Sequence, residues 1–194
     1  MDLILLSGGI ESTTLLYERR AAGAVQALFV DYGQRAAARE RATVQALCAK
    51  TGTALTIAPL QHLRAALTDR STWQPHIPAP ARNLLIISLA ANYALVAGGT
   101  QIFLGVQRDD RRHREAGGDF LAALAATLAT FGLGLATPYQ DLSKTAVIAR
   151  GLALGVDYDE TYSCLLGRPR PCGQCPQCAA RNEALAALAR PPPP

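Results

Sequence analysis

The sequence predicts an α/β fold: an open parallel sheet with helices on both faces, closed by a small metal-binding knuckle. Three observations predict it. Short apolar runs alternate with helical-period stretches along most of the 194 residues, the pattern of parallel strands joined by right-handed crossovers. The first apolar run, Asp2 to Leu6 (DLILL), leads straight into Ser7, Gly8 and Gly9, a turn that lets a backbone bend sharply and approach a ligand. Four cysteines, Cys164, Cys172, Cys175 and Cys178, stand near the end with the spacing C-x7-C-x2-C-x2-C.

The elements follow in order. Asp2 to Leu6 is short and apolar enough for a buried parallel strand. The first helix is expected from Ser12 to Ala22, then a strand from Val25 to Val30 and a helix from about Arg35 to Thr51. A third strand covers about Ala54 to Ala58, and the stretch from Asp69 to Pro80, rich in Pro, Ser and Thr, reads as a loop. A helix is expected from about Asn83 to Ala97 and a strand from Gln101 to Gly105, followed by a charged loop from Arg108 to Gly118. Two more helices read as about Asp119 to Thr130 and Ser143 to Leu154, and a last one starts near the knuckle and ends before Pro191. Pro191 to Pro194 cannot be helical and reads as a frayed tail. The chain is expected to divide into an α/β domain over 1–160 and a zinc-binding segment over 161–190 packed on it.

Composition narrows the class. Charged residues at 18% and hydrophobic ones at 49% suit a globular protein able to bury a sizeable core. No apolar run reaches the roughly 18 residues of a membrane span. The chain enters its first strand with no basic leader before it, so no signal peptide is expected, and a cytoplasmic location is. A net charge of +4 fits anionic small substrates and does not demand nucleic acid.

The first turn points to phosphate. Hydroxyls and free N–H groups at a helix N-terminus favour anions, and the end of the first strand is where open α/β sheets bind nucleotides. The run Ser7, Gly8, Gly9, Ile10, Glu11, Ser12, Thr13 and Thr14 lacks the Gly-Lys-Ser/Thr of a Walker loop and the Gly-x-Gly-x-x-Gly of a dinucleotide site. A plain turn with Ser12 or Thr13 as a helix cap also satisfies these residues.

The cysteines point to zinc. Thiolates two residues apart in a tight turn can face one centre, and Pro171, Gly173 and Pro176 supply the turn chemistry. A disulfide pair or a redox motif is the alternative. An all-cysteine shell leaves no open coordination position, so the ion would be structural and would contribute on the order of 10 kcal/mol to folding of its segment. Cys48, in a helical stretch, reads as an apolar filler.

Four weaker clusters lie between these anchors. Asp31, Tyr32, Gly33 and Gln34 follow the second strand; Arg82 and Asn83 open a helix, with Asn83 suited to its N-cap; Gly105 to Gln107 end the fourth strand; Ser143 and Lys144 start a later helix. A turn, a cap or a solvated charge explains each of them equally well.

The first turn resembles the Ser-Gly-Gly-x-Asp-Ser pyrophosphate loop of N-type ATP pyrophosphatases. Together with Asp31 to Gln34, Arg82 and Asn83, Gly105 and Val106, Lys144 and the four cysteines, it resembles the 7-cyano-7-deazaguanine synthase (QueC) family of the queuosine pathway, from about Leu3 to Arg181. The resemblance implies the adenine nucleotide alpha hydrolase-like (HUP-type) fold and an ATP-dependent C–N ligase. It implies ATP contacts across Leu6, Ser7, Gly8, Gly9, Ile10, Glu11, Ser12, Thr13, Thr14, Leu15 and Leu16, with Ser7, Glu11, Ser12 and Lys144 in the chemistry. It implies deazaguanine contacts from Tyr32, Gln34, Arg82, Asn83, Gly105 and Asp110, zinc on the four cysteines, and Mg²⁺ held with the help of Glu11. It also implies pairing as a homodimer.

The departures are specific. Glu11 replaces Asp and carries one more methylene, and Mg²⁺ tolerates little geometric error. Ala81 replaces the Gly before Arg82. The family's Ser-Gly-Tyr-Pro-Asp-Cys-Arg segment is replaced by Asp109 to Gly118, where Asp110, Arg114 or Glu115 are the candidates to take over its role. Synthase-like proteins also occur in bacterial antiphage systems, and that branch implies a protein acceptor encoded in a defence operon. A further alternative is a non-catalytic nucleotide-binding module, with His113 and its neighbouring arginines as a partner surface.

Overall fold

The computed structural model describes residues 1–63 and 79–189. The expectations for residues 69–78 of the Pro-rich loop and for the tail at 191–194 lie outside the described residues. Five parallel strands, β1 (Asp2–Leu5), β2 (Val25–Asp31), β3 (Ala54–Pro59), β4 (Gln101–Phe103) and β5 (Gly134–Ala136), lie in the order β3-β2-β1-β4-β5. The helices of the described residues are α1 (Ile10–Ala22), α2 (Ala37–Thr51), α3 (Arg82–Ala97), α4 (Gly118–Ala129), α5 (Lys144–Ala153) and α6 (Pro176–Ala189).

Strand alternation sorts the core into two layers. Ile4 and Leu6 of the first strand and its extension, with Ala27 and Phe29 of β2, face Leu15, Leu16, Val44, Leu47, Val147 and Ile148 from α1, α2 and α5. Leu3, Leu5, Leu28 and Val30 face the other way, onto Ile87, Ala90 and Ala94 of α3 and Leu121, Leu124 and Leu128 of α4. A strand buried on both faces must be apolar throughout, which is why β1 reads as an unbroken run. The chain leaves β1 toward β2 but returns on the other side as β4. The switch point between β1 and β4 therefore opens a crevice at their carboxyl ends.

Several boundaries differ from expectation. α1 begins at Ile10, with Gly9 as its N-cap, so Ser12 and Thr13 lie inside the helix and cap nothing. β4 stops at Phe103 because the chain then bends toward α1; a Cβ on Gly105 would meet the Glu11 and Ser12 backbone at 3.1 Å. The charged loop contains two 3₁₀ turns, Arg108–Arg112 and Arg114–Ala116, the first closed by a capping box between Gln107 and Asp110. β5 was not expected: Gly134, Leu135 and Ala136 carry no β-branched side chain and show no alternation.

Asn83 does not cap α3. The N-cap is Ala81, which holds φ 53° and is the one non-glycine residue with positive φ among the described residues. A Cβ in the left-handed region costs about 1–2 kcal/mol. Ala81→Gly removes that strain but adds freedom to the unfolded chain, so a net gain of about 0.5–1 kcal/mol is expected. Thermal unfolding would then shift upward by about 1–4 °C; a lower midpoint would show that the turn is not strained.

Candidate active site

A cavity of about 270 Å³ opens at the switch point, lined at one end by Ser7, Gly9, Glu11, Ser12 and Lys144 and at the other by Tyr32, Gln34, Glu40, Arg82, Asn83, Asp110, His113 and Glu115. Leu6 and Gly105 also line it.

The first end is built by the β1–α1 turn. Gly8 sits at φ 78°, and a Cβ there would lie 2.8 Å from Thr43 Cγ2, so the turn packs onto α2 as only glycine can. Ser12 Oγ accepts from the Ser7 N–H at 3.2 Å and lies 3.1 Å from Ser7 Oγ, which curls the loop around two hydroxyls. Gly9 offers no side-chain cap to α1, so the first-turn N–H groups stay available to an anion. Ser143 caps α5 by accepting from the Ala146 N–H at 3.2 Å, and Lys144 follows as its first helical residue. The Lys144 ammonium is ion-paired with the Glu11 carboxylate, their side chains only 10% and 16% exposed. Two residues expected to act separately, one on metal and one on phosphate, thus form one neutral unit.

Part of the expected nucleotide set lies beneath the loop. Ile10, Thr13, Thr14, Leu15 and Leu16 are 0% exposed. They serve the core beneath the loop. Thr14 Oγ1 lies 2.6 Å from the Tyr158 hydroxyl, which ties α1 to the chain after α5. Thr13 Oγ1 is buried with no hydrogen-bond partner among the described residues.

The second end is a polar network. The Gln34 amide donates to Glu40 Oε2 at 2.7 Å and to Val30 O at 3.3 Å, and its oxygen accepts from the Tyr32 N–H at 3.0 Å. Asp31 is turned away: it accepts from Arg41 at 2.7 Å and from the Gly33 N–H at 3.1 Å. Arg82 lies 3.3 Å from Glu115, and Asn83 donates through its side chain to Glu115 O at 2.7 Å and through its backbone to Glu115 Oε2 at 3.3 Å. The divergent 108–118 segment is therefore fastened to the start of α3. Arg114 does not line the cavity, whereas Asp110 and Glu115 do. Burial raises the Tyr32 phenol above its ordinary value. Desolvation pulls the Arg82 pKa down, but Tyr32 and Glu115 beside it outweigh this and raise it. Burial pushes the Glu40 carboxyl up to about 7, against the Gln34 hydrogen bond and the Arg82 charge.

The four cysteine sulfurs lie within 4.8 Å of one another. A tetrahedron with metal–sulfur bonds of about 2.3 Å has sulfur–sulfur edges of roughly 3.8 Å, so small inward shifts suffice to hold a metal ion. N–H groups of Gln174 and Cys175 point at Cys172 and lower its thiol to about 6, whereas burial raises Cys178 to about 12. The knuckle also shapes the cavity. Tyr162, two residues before Cys164, donates its N–H to Gly8 O at 2.9 Å, and Tyr162, Ser163 and Leu165 form one wall. Arg181 of α6 bonds Tyr158 O and reaches Thr161 Oγ1 at 2.5 Å, holding the same segment from behind. Glu40, Tyr162 and Ser163 were not foreseen; proximity to Cys164 was the one available signal for the last two.

No helix among the described residues is long and apolar enough to cross a membrane. Solved structures share the fold: the U34-tRNA thiolase NcsA from Methanococcus maripaludis with its [4Fe-4S] cluster (TM-score 0.59, 14% identity, 96% of this chain and 63% of that one) and NMN synthetase from Francisella tularensis (TM-score 0.58, 15% identity, 99% and 78%). The chain thus spans less than two thirds of NcsA. Curated relatives named 7-cyano-7-deazaguanine synthase match at 37% identity in Thiobacillus denitrificans, covering 95% of this chain and 93% of that one, and at 37% in Nitrosomonas eutropha, covering 98% and 95%. A third, 7-cyano-7-deazaguanine synthase 1 from Sulfurisphaera tokodaii, is 31% identical over 94% of this chain and 91% of that one. The model of the family described as queuosine biosynthesis protein QueC matches residues 1–189, and with relatives this similar over nearly their whole length the chain belongs to the QueC family.

Proposed function

We propose that the protein adenylates a 7-carboxy-7-deazaguanine-type carboxylate with ATP and passes the acyl group to an amine. The observation that supports this most is that the hydroxyl-lined end and the polar end lie in one shared cavity. A substrate carboxylate oxygen attacks the α-phosphorus, and pyrophosphate leaves toward Ser7, Ser12 and the free N–H groups of α1. Ammonia then attacks the acyl carbon and AMP leaves, giving the amide. The amide oxygen then attacks the α-phosphorus of a second ATP and pyrophosphate leaves, with one proton lost from nitrogen; loss of AMP and the second N–H proton gives the nitrile.

No protein nucleophile is needed; the protein contributes position and electrostatics. Lys144 neutralises charge that develops on the phosphates. Its pairing with Glu11 holds the ammonium at the loop before the nucleotide arrives. The Glu11 carboxylate suits Mg²⁺, which is commonly held by one or two carboxylates plus substrate phosphates and would supply further charge neutralisation. The four cysteines suit zinc in a structural role. Tyr32, Arg82, Asn83 and Asp110 border the heterocycle.

Incubation with ATP, Mg²⁺ and 7-carboxy-7-deazaguanine, with and without ammonium, tests the proposal by mass spectrometry. Amide or nitrile with AMP is the expected result; no AMP or pyrophosphate with this carboxylate would contradict it. One observation favours a second reading of the acceptor. His113, Glu115 and Ala116 of the divergent segment line the cavity, so an altered acceptor such as a partner protein's amine would enter past them. AMP release with neither amide nor nitrile would select that reading.

A further inference from the structure

The carboxylates around the cavity are nearly all engaged. Glu11 is paired with Lys144 and Glu115 with Arg82. Asp110 closes its own 3₁₀ turn by accepting from the Gln107 N–H at 3.0 Å. Glu40 differs. It lines the cavity, and among the described residues no cation lies within salt-bridge distance of it; its partner is the Gln34 amide.

We infer that Glu40 selects the heterocycle: its carboxylate accepts two N–H donors from an amidine edge, a ring N–H beside an exocyclic amine, as on a 2-aminopyrimidinone ring. The inference rests on the reading of the site given above. Carboxylates suit such an edge because they offer acceptors only. An adenine ring presents a donor beside an acceptor, so the same carboxylate would repel its ring nitrogen. Burial already makes ionisation of Glu40 costly, and two ligand donors would restore what removal from water took away. Gln34 is a positioning residue. Both of its N–H donors are spent, on Val30 O and Glu40, and its oxygen accepts from the Tyr32 N–H, an arrangement that aims Glu40.

Calorimetric binding of 7-carboxy-7-deazaguanine and of its analogue lacking the exocyclic amine tests this, using metal-loaded protein with a non-hydrolysable ATP analogue. Wild-type protein is expected to prefer the amine-bearing compound by about 10- to 100-fold. Glu40→Gln, which replaces one acceptor by a donor in the same volume, should reduce that preference to within about threefold and leave affinity for the ATP analogue unchanged. Gln34→Ala should reduce the preference partway, again without affecting the ATP analogue. A preference that survives Glu40→Gln would overturn the inference alone. So would equal losses for heterocycle and ATP analogue, which would mark Glu40 as structural or nucleotide-facing. Wild-type protein that binds neither compound would overturn the reading of the site together with the inference.

Discussion

Lys144→Met is expected to slow pyrophosphate release by about 10²–10³-fold or more, the usual cost of removing one preorganised donor from developing charge. Lys144 is 8% exposed and sits as the first residue of α5, fixed by the Ser143 cap. Its backbone position is thus set by the fold. Methionine keeps the length and apolar stem of lysine and deletes the charge. It also leaves the Glu11 carboxylate unpaired in a mostly buried place, at a cost of about 3 kcal/mol in stability. Stability and chemistry can be separated. Glu11→Gln combined with Lys144→Met removes both charges and should recover most of the stability while pyrophosphate release stays low. Turnover of Lys144→Met within tenfold of wild type would remove Lys144 from the chemistry.

Cys175→Ser should cost both the metal and the nucleotide. Cys175 is buried with Cys164, Cys178, Ala36 and Tyr162 in a small cluster of its own. With one thiolate lost the shell is incomplete, and metal binding in small modules contributes on the order of 10 kcal/mol to folding. The segment from Tyr162 to Leu165 then loses its anchor, and with it the bond from Tyr162 N–H to Gly8 O that steadies the phosphate loop. Elemental analysis should show no bound metal, and the unfolding midpoint should fall by about 10 °C or more. The stabilisation that ATP confers on wild type should shrink or vanish. Full ATP stabilisation in metal-free Cys175→Ser protein would show that the knuckle and the loop are independent.

The β1–α1 turn and the cysteine cluster were both legible in the sequence, for a shared reason. Each is local, set by residues a few positions apart. The five-strand sheet was legible where strands are buried on both faces, as in β1, and not at β5, a three-residue edge strand without alternation. The residues between the anchors were harder because their roles come from long-range contacts. Asn83 looked like a cap, but its side chain is taken by Glu115, 32 positions away. Glu11 and Lys144 meet across 133 positions. Thr13 to Leu16 belong to the motif but are buried all round the helix, since α1 here is packed between the sheet, α2 and α5. Glu40 gave no signal at all; an acidic residue in a first helical turn is ordinary, and only the cavity wall makes it notable.

A crystal structure with a non-hydrolysable ATP analogue tests the central claim most directly. The triphosphate is expected against Ser7, Gly9, Ser12 and the first N–H groups of α1, with the Lys144 ammonium on a phosphate oxygen. Phosphates found elsewhere on the molecule, with the Glu11–Lys144 pair intact and the β1–α1 turn empty, would contradict it.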